Sequence, residues 1–144
     1  MNIVVIDGQG GSLGKSIVEQ LKARLDGHEI TVVGTNSLAT SNMLKGGASH
    51  GATGENPVVV ACRHADVIIG PIGIIAADSL LGEITPAMAL AIGRSPAHKV
   101  LIPVNRCCIT VAGTQDLTYA EYIRLAVEQV AQLCDGGYQR ATVG

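Results

Sequence analysis

Aromatic side chains and positive charge are both scarce in this sequence. Phenylalanine and tryptophan are absent, and Tyr119, Tyr122 and Tyr138 are the only aromatic residues. Single-stranded bases therefore have no platform on which to stack. Ten Lys and Arg against twelve Asp and Glu give a formal net charge of −2, which excludes a strongly basic nucleic-acid footprint. We expect no nucleic-acid partner.

Long apolar runs and ordered cysteine motifs are also missing. No apolar run reaches the roughly 18 residues that a membrane span requires, and the sequence enters a predicted strand without a charged leader. The four cysteines lack CxxC spacing, and the histidines lack metal-ligand spacing. We therefore expect a reduced, cytoplasmic protein with no membrane association and no metal. Adjacent Cys107 and Cys108 are interpreted as buried thiols at a strand edge, with a redox pair as the alternative.

The apolar residues that are present favour an α/β fold. They make up 47% of the 144 positions, and a core without Phe or Trp must be built from Val, Ile, Leu and Ala, which suits a parallel sheet buried on both faces. Strands that alternate with helices indicate a three-layer α/β/α sandwich, Rossmann-like, with a mostly parallel sheet of four to six strands. The length predicts one domain over residues 1–137, followed by a flexible tail at 138–144.

The local patterns predict individual elements. Apolar runs indicate strands at 2–6, 29–34, 67–69 and 99–104, with a short extended piece at 109–112. Residues 47–55 are interpreted as a glycine-bearing loop, and 74–83 as an apolar but irregular segment. Asn56 and Pro57 are interpreted as a helix cap and first helical residue. Capping signals and helical periodicity predict helices at 12–25, 37–46, 58–65, 85–94 and 118–135.

The most informative segment is the turn between the first strand and the first helix, Asp-Gly-Gln-Gly-Gly-Ser-Leu-Gly-Lys-Ser at positions 7–16. A strand that passes through glycines into a helix points bare amide groups, at the positive end of the helix dipole, toward one spot that suits a phosphate. The alternative is a tight turn that binds nothing. We predict that the turn binds the phosphates of a nucleotide through Gly8, Gln9, Gly10, Gly11, Ser12 and Gly14.

Two nucleotide-binding templates come close to this turn without matching it. The dinucleotide pattern GxGxxG requires glycine where Leu13 stands, and the Walker A pattern requires glycine where Gln9 stands. A P-loop enzyme also needs a carboxylate at the end of a neighbouring strand to hold Mg²⁺. Asp66 precedes its strand, which is the wrong end of the sheet. The sequence therefore favours a Rossmann-like site for NAD or NADP over a divergent P-loop NTPase.

Further ligand contacts are expected from loops that follow the carboxyl ends of the strands. An NAD site usually has Asp or Glu after the second strand, but this chain has uncharged Thr35 and Asn36, which could equally be helix caps. No Arg stands nearby for a 2′-phosphate. The segment 70–73 would let the backbone approach a ligand, or would form a rigid turn. The predicted rim consists of Thr35, Asn36, Gly70, Pro71, Gly73 and Asn105.

Catalytic groups are hard to assign. Glu83 and His50 are candidate acid–base groups on loops, and Lys15 could reach a phosphate, although each is also typical of a solvated side chain. Whether the protein is an enzyme therefore stays open, and a ligand-sensing or partner-binding module is the alternative. The segment 74–81 is too apolar for an exposed loop, so we expect it to form a lid or to pack against a second subunit in a homodimer.

Several blocks together resemble a known family. They are Ile-Asp-Gly-Gln-Gly-Gly, Gly-Thr-Asn-Ser, Ala-Thr-Ser-Asn-Met-Leu-Lys, Gly-Ala-Thr-Gly-Glu-Asn, Asp-Val-Ile-Ile-Gly-Pro-Ile-Gly-Ile and Gly-Glu-Ile-Thr-Pro. The sequence is similar in these blocks, up to Asn105, to an uncharacterised family of small bacterial Rossmann-like proteins, a domain of unknown function. The resemblance implies a bacterial cytoplasmic protein and supplies neither a reaction nor a catalytic residue.

Overall fold

The computed structural model describes residues 1–104 and 108–136, which form a parallel sheet flanked by helices. The strands are β1 (Asn2–Asp7), β2 (Glu29–Gly34), β3 (His50–Thr53), β4 (Val67–Pro71) and β5 (His98–Ile102). The helices are α1 (Ser12–Arg24), α2 (Ser37–Lys45), α3 (Glu55–His64), α4 (Pro86–Arg94) and α5 (Tyr119–Asp135), with one 3₁₀ turn at Ile72–Ile75.

The strand order identifies the architecture. The sheet runs β3-β2-β1-β4-β5, and every pair is parallel. The chain builds outward from β1 to β3, then crosses back to place β4 on the other side of β1. This is the order of a Rossmann-like sheet, and its switch point lies between β1 and β4. The predicted fold class is therefore confirmed.

The central strands are apolar at nearly every position because both of their faces are covered. In β1, Ile3 and Val5 face a core shared with α1, α2 and α5, whereas Val4 and Ile6 face a core shared with α3 and α4. All four side chains are at most 1% exposed. The alternation assigns the helices to two layers and brings the carboxyl ends of β1, β2 and β4 to one edge of the sheet.

Three element predictions are wrong. The expected loop at 47–55 contains β3, which pairs with β2 through Thr31 and His50 and through Gly34 and Thr53. Helix α3 begins at Glu55, three residues before the predicted start, because Gly54 is its N-cap and Asn56 already lies in the first turn. The segment 109–112 forms no strand in the described structure.

The cysteine prediction needs a similar correction. Cys108 is exposed and lies outside any strand, so it is not a buried thiol at a strand edge. Its neighbour Cys107 lies outside the described residues, as do Asn105 and the predicted tail at 138–144. In the ranges 1–104 and 108–136, no helix combines the length and the apolarity that a bilayer crossing would need.

Candidate functional site

The glycine turn lies at the carboxyl edge of the sheet, beside the switch point, and two of its glycines are required for packing. A Cβ on Gly11, where φ is 72°, would lie 2.6 Å from the backbone Cα of Ala39 in α2. A Cβ on Gly14 would lie 2.4 Å from the Met43 sulfur, in the same helix. Gly10 differs, because a Cβ there would meet nothing within 4 Å. Helix packing thus explains Gly11 and Gly14, and leaves Gly10 facing open space.

Asp7, the last residue of β1, holds the two ends of the turn in place through hydrogen bonds. Its carboxylate accepts the amide N–H of Gly8 and that of Gly14, each at 2.8 Å. Burial raises the pKa of Asp7, the two amide bonds lower it, and the negative charge of Glu83 raises it; the net pKa lies above the ordinary value. No role for Asp7, the first residue of the predicted turn, was inferred from the sequence. The available signal was a carboxylate directly after a buried strand.

Glu83 reaches the turn from the loop that precedes α4. One of its oxygens, Oε1, accepts three hydrogen bonds: from the Gln9 amide at 2.9 Å, the Thr35 hydroxyl at 2.5 Å and the Asn36 amide group at 2.7 Å. Thr35 and Asn36 were predicted at the ligand rim and Gln9 in the phosphate-binding turn, and the structure brings the three residues together. An anionic oxygen therefore already lies against one amide of the turn.

The pKa of Glu83 reflects this arrangement. Partial burial raises the pKa, but the hydrogen bonds from Thr35, the Gln9 amide and Asn36 outweigh it, so the net pKa lies below the ordinary value of 4.5. The side chain is only partly buried, so its carboxylate remains open to water on one side.

Two asparagines of the α2 region hold the turn from the other side. The Asn36 side chain donates to the Gln9 carbonyl at 2.9 Å while its oxygen caps α2 by accepting the Ala39 amide. Asn42, six residues further along in α2, donates to the Gly10 carbonyl at 2.7 Å. The cap role of Asn36 is thus observed, and the same side chain contacts the glycine turn. Asn42 carried no sequence signal, since an Asn within a helix is usually solvated.

The unpaired donors of the turn define what it can bind. The amides of Gly8 and Gly14 bond to Asp7, that of Gln9 bonds to Glu83, and that of Gly11 bonds to the Gly8 carbonyl at 3.0 Å. For the amides of three further residues, the described part of the chain offers no acceptor: Gly10, Ser12 and Leu13. Gly10 and Ser12 are exposed, and the first amides of a helix point along its axis toward its N-terminus. These donors lie at the positive end of the α1 dipole, where backbone amides commonly hold anionic groups in other proteins.

The other predicted site residues make different contacts. His50 is the first residue of β3, so it lies at the amino ends of the strands, away from the turn. Its imidazole is 3.5 Å from the Glu29 carboxylate. Lys15 lies in the first turn of α1, and its ammonium group is 3.8 Å from Glu19, one turn along the same helix. Gly70, Pro71 and Gly73 are buried. A Cβ on Gly70 would lie 2.3 Å from the Ile6 carbonyl oxygen, so this glycine allows β1 and β4 to meet.

The apolar segment before α4 lies against the start of the glycine turn and includes a strained loop. Asp78, Leu80 and Leu81 all have positive φ, between 55° and 67°, which is uncommon for bulky residues. Leu80 is buried, close enough that a Cβ on Gly8 would lie 3.0 Å from its Cδ1. Ile74 is fully buried in the same core, which accounts for much of the segment's apolar character, whereas Leu81 is 96% exposed.

Two surface grooves lie elsewhere. One, of about 420 Å³, lies between α3 and α4, and a smaller one of about 160 Å³ lies between β5 and α5. Neither is lined by a residue of the glycine turn. Within the two described ranges, no three His, Cys, Asp or Glu side chains are grouped closely enough to hold a metal ion.

The hydrogen bonds of Glu83 predict a specific pH dependence. A carboxyl whose pKa is lower in the folded than in the unfolded chain stabilises the fold above its unfolded pKa, and this contribution is lost as the pH falls through the folded value. At pH 7 we expect the unfolding free energy of wild type to be larger than that of Glu83→Gln. We expect this difference in unfolding free energy to decrease below pH 4.5. Urea unfolding of both proteins from pH 7 to pH 3 measures it. A difference that is constant with pH would contradict the ionised contact.

Comparison with known proteins assigns a family and no activity. The sequence matches the family described as "Domain of unknown function (DUF3842)" over residues 2–135, and the chain belongs to that family. No curated protein matches it. A similar solved structure is that of a dodecameric FMN-dependent Ubix-like decarboxylase from Escherichia coli O157:H7, with 15% identity, a TM-score of 0.46, and coverage of 99% of this chain and 98% of that chain.

Proposed function

We propose that this member of the DUF3842 family binds NAD, NADP or a related nucleotide, with the phosphates at the N-terminus of α1. The observation that carries the proposal is the set of unpaired amides at Gly10, Ser12 and Leu13, next to the switch point of a Rossmann-ordered sheet. Ligands of open α/β sheets bind beyond the carboxyl ends of the strands at such a point.

The turn is preorganised for an anion. Its carbonyls at Gln9 and Gly10 are engaged by Asn36 and Asn42, so the two peptide groups cannot rotate freely. The Gln9 amide already holds a carboxylate oxygen, which supports the affinity of this turn for anionic oxygens. The phosphates would lie on the far side of Gly10 from Glu83, because the Gln9 donor is taken and two anions repel each other.

A non-catalytic sensor is the second candidate, and the loop before α4 favours it. Glu83 connects the turn to a loop that carries strained Leu80 and Leu81. Strain of this kind persists at binding and switching sites. A nucleotide that shifted Glu83 would move Leu81, whose exposed side chain is suited to contact a second copy or another partner. For a P-loop NTPase we find no comparable support, because Lys15 pairs with Glu19 on the outer face of α1.

Thermal unfolding with a nucleotide panel tests the proposal. A ligand at 100 times its Kd adds about 2.7 kcal/mol to the folded state. We expect NAD or NADP to raise the Tm, and expect FAD, FMN, CoA and ATP, with or without Mg²⁺, to do so less. A response to ATP that needs Mg²⁺ would favour the NTPase instead. A Tm that no nucleotide changes would contradict nucleotide binding altogether.

A further inference from the structure

We propose that Glu83 binds the 2′- and 3′-hydroxyls of a ribose, so that the site takes a dinucleotide with a free 2′-hydroxyl and rejects its 2′-phosphorylated counterpart. The inference rests on the proposed function and names the substrate class of the same site. Glu83 would then provide the carboxylate for the ribose that the sequence lacks directly after the second strand.

The two oxygens of the Glu83 carboxylate have different surroundings. Oε1 accepts from the Gln9 amide, the Thr35 hydroxyl and the Asn36 amide group, so its acceptor capacity is used within the protein. Oε2 has no donor in the described part of the chain. A carboxylate that is oriented through one oxygen and open at the other is a preorganised acceptor for an incoming hydroxyl pair.

The position of this carboxylate is where a dinucleotide site needs it. Thr35 directly follows β2, and dinucleotide-binding sheets place an acidic residue there to accept the ribose 2′-hydroxyl. Here the chain position is uncharged, and the charge comes from a residue 48 positions further along. Glu83 also lies over the start of the glycine turn, since a Cβ on Gly8 would be 3.1 Å from its Oε1. The proposed ribose and phosphate contacts therefore lie on the same turn, on opposite sides of Gly10.

The local charge opposes a 2′-phosphate. Asp7 lies close enough to Glu83 for the two carboxyl groups to interact electrostatically. In the ranges 1–104 and 108–136, no Lys or Arg side chain forms an ion pair with Glu83. A 2′-phosphate would add about two negative charges beside two carboxyl groups without a compensating cation, whereas a hydroxyl would donate to Oε2.

Titration calorimetry with NAD and with NADP tests the inference. We expect wild type to bind NAD at least tenfold more tightly than NADP, the size expected for hydrogen bonds to a charged group. Glu83→Gln removes the charge and keeps an amide in its place, so the ratio of the two Kd values is expected to fall to about threefold or less. Far-UV circular dichroism and the Tm establish that the variant is folded.

A matched variant separates local contact from overall charge. Glu19→Gln removes one negative charge from the outer face of α1, where Glu19 contacts Lys15, and is expected to leave the Kd ratio unchanged. If Glu83→Gln does not fold, Thr35→Val can be used, because it removes a hydroxyl donor to Oε1. It is expected to weaken NAD binding and to reduce the ratio of the NADP and NAD Kd values, whereas Thr35→Ser keeps the hydroxyl and is expected to preserve both.

The outcomes distinguish this inference from the function it rests on. Equal binding of NAD and NADP by wild type, or a ratio unaffected by Glu83→Gln, would overturn the ribose role while leaving dinucleotide binding intact. Failure of wild type to bind either cofactor would overturn the proposed function, and the ribose role with it.

Discussion

Replacing Gly70 with alanine is expected to lower the unfolding free energy by about 3 kcal/mol or more. The new methyl group would lie 2.3 Å from the Ile6 carbonyl oxygen and 3.1 Å from Ile74 Cδ1. The nearer atom is backbone, in the central strand β1, so no side-chain rotation relieves the contact. The carboxyl ends of β1 and β4 would have to separate, beside the residue that leads into Asp7.

Urea unfolding at pH 7 measures this loss, and Gly93→Ala is the matched control. Gly93 lies in α4, and a Cβ there would meet nothing within 4 Å. Alanine is favoured over glycine in a helix, so this variant is expected to be as stable as wild type or up to about 1 kcal/mol more stable. Similar unfolding free energies for Gly70→Ala and wild type would contradict the close approach of the two strands.

Replacing Gly10 with valine is expected to weaken nucleotide binding strongly while leaving the fold intact. A Cβ on Gly10 has open space around it, and φ at this residue lies outside the left-handed region, so the unfolding free energy should change by about 0.5 kcal/mol or less. The branched side chain would occupy the approach to the amides of Gly10 and Ser12. Steric exclusion of this kind costs about 1–3 kcal/mol, or roughly 5- to 150-fold in Kd.

Calorimetric titration of wild type, Gly10→Ala and Gly10→Val with the cofactor found in the thermal screen measures this effect. The alanine variant is expected to bind with intermediate affinity, because its methyl group reaches less far. Undiminished binding by Gly10→Val would remove the turn from the ligand site. A variant that has lost both binding and stability would contradict the open space at Gly10.

The sequence was sufficient to predict those elements whose burial produces a recognisable pattern of apolar residues. Strands β1, β2 and β4 are covered on both faces, so each appears as a run of branched apolar residues. Strand β3 lies at the sheet edge with largely exposed residues and no apolar run. It is held by pairing with β2 and by the Thr40–Thr53 hydroxyl contact at 2.7 Å, which are tertiary effects that a local pattern does not carry.

The residues around the glycine turn could be predicted from the sequence where they follow the ends of strands. They could not be predicted where a distant segment of the chain contributes them. The turn residues, Thr35 and Asn36 follow strand ends, and a parallel sheet brings strand ends to one edge. Glu83 joins them from a loop whose path depends on consecutive residues with positive φ, which its leucines do not favour. The abundance of glycine was also ambiguous, since Gly11 and Gly14 are required by the contact of α1 with α2 as much as by any ligand.

The most direct test of the account follows the backbone amides of the turn by ¹H–¹⁵N NMR during titration with NAD. Binding of the phosphates at the N-terminus of α1 predicts the largest chemical-shift changes at Gly10, Ser12 and Leu13, whose amides have no acceptor in the described part of the chain. Gly14, bonded to Asp7, is expected to shift less. Saturating NAD that leaves those three resonances in place, or shifts only residues of the α3–α4 groove, would contradict it.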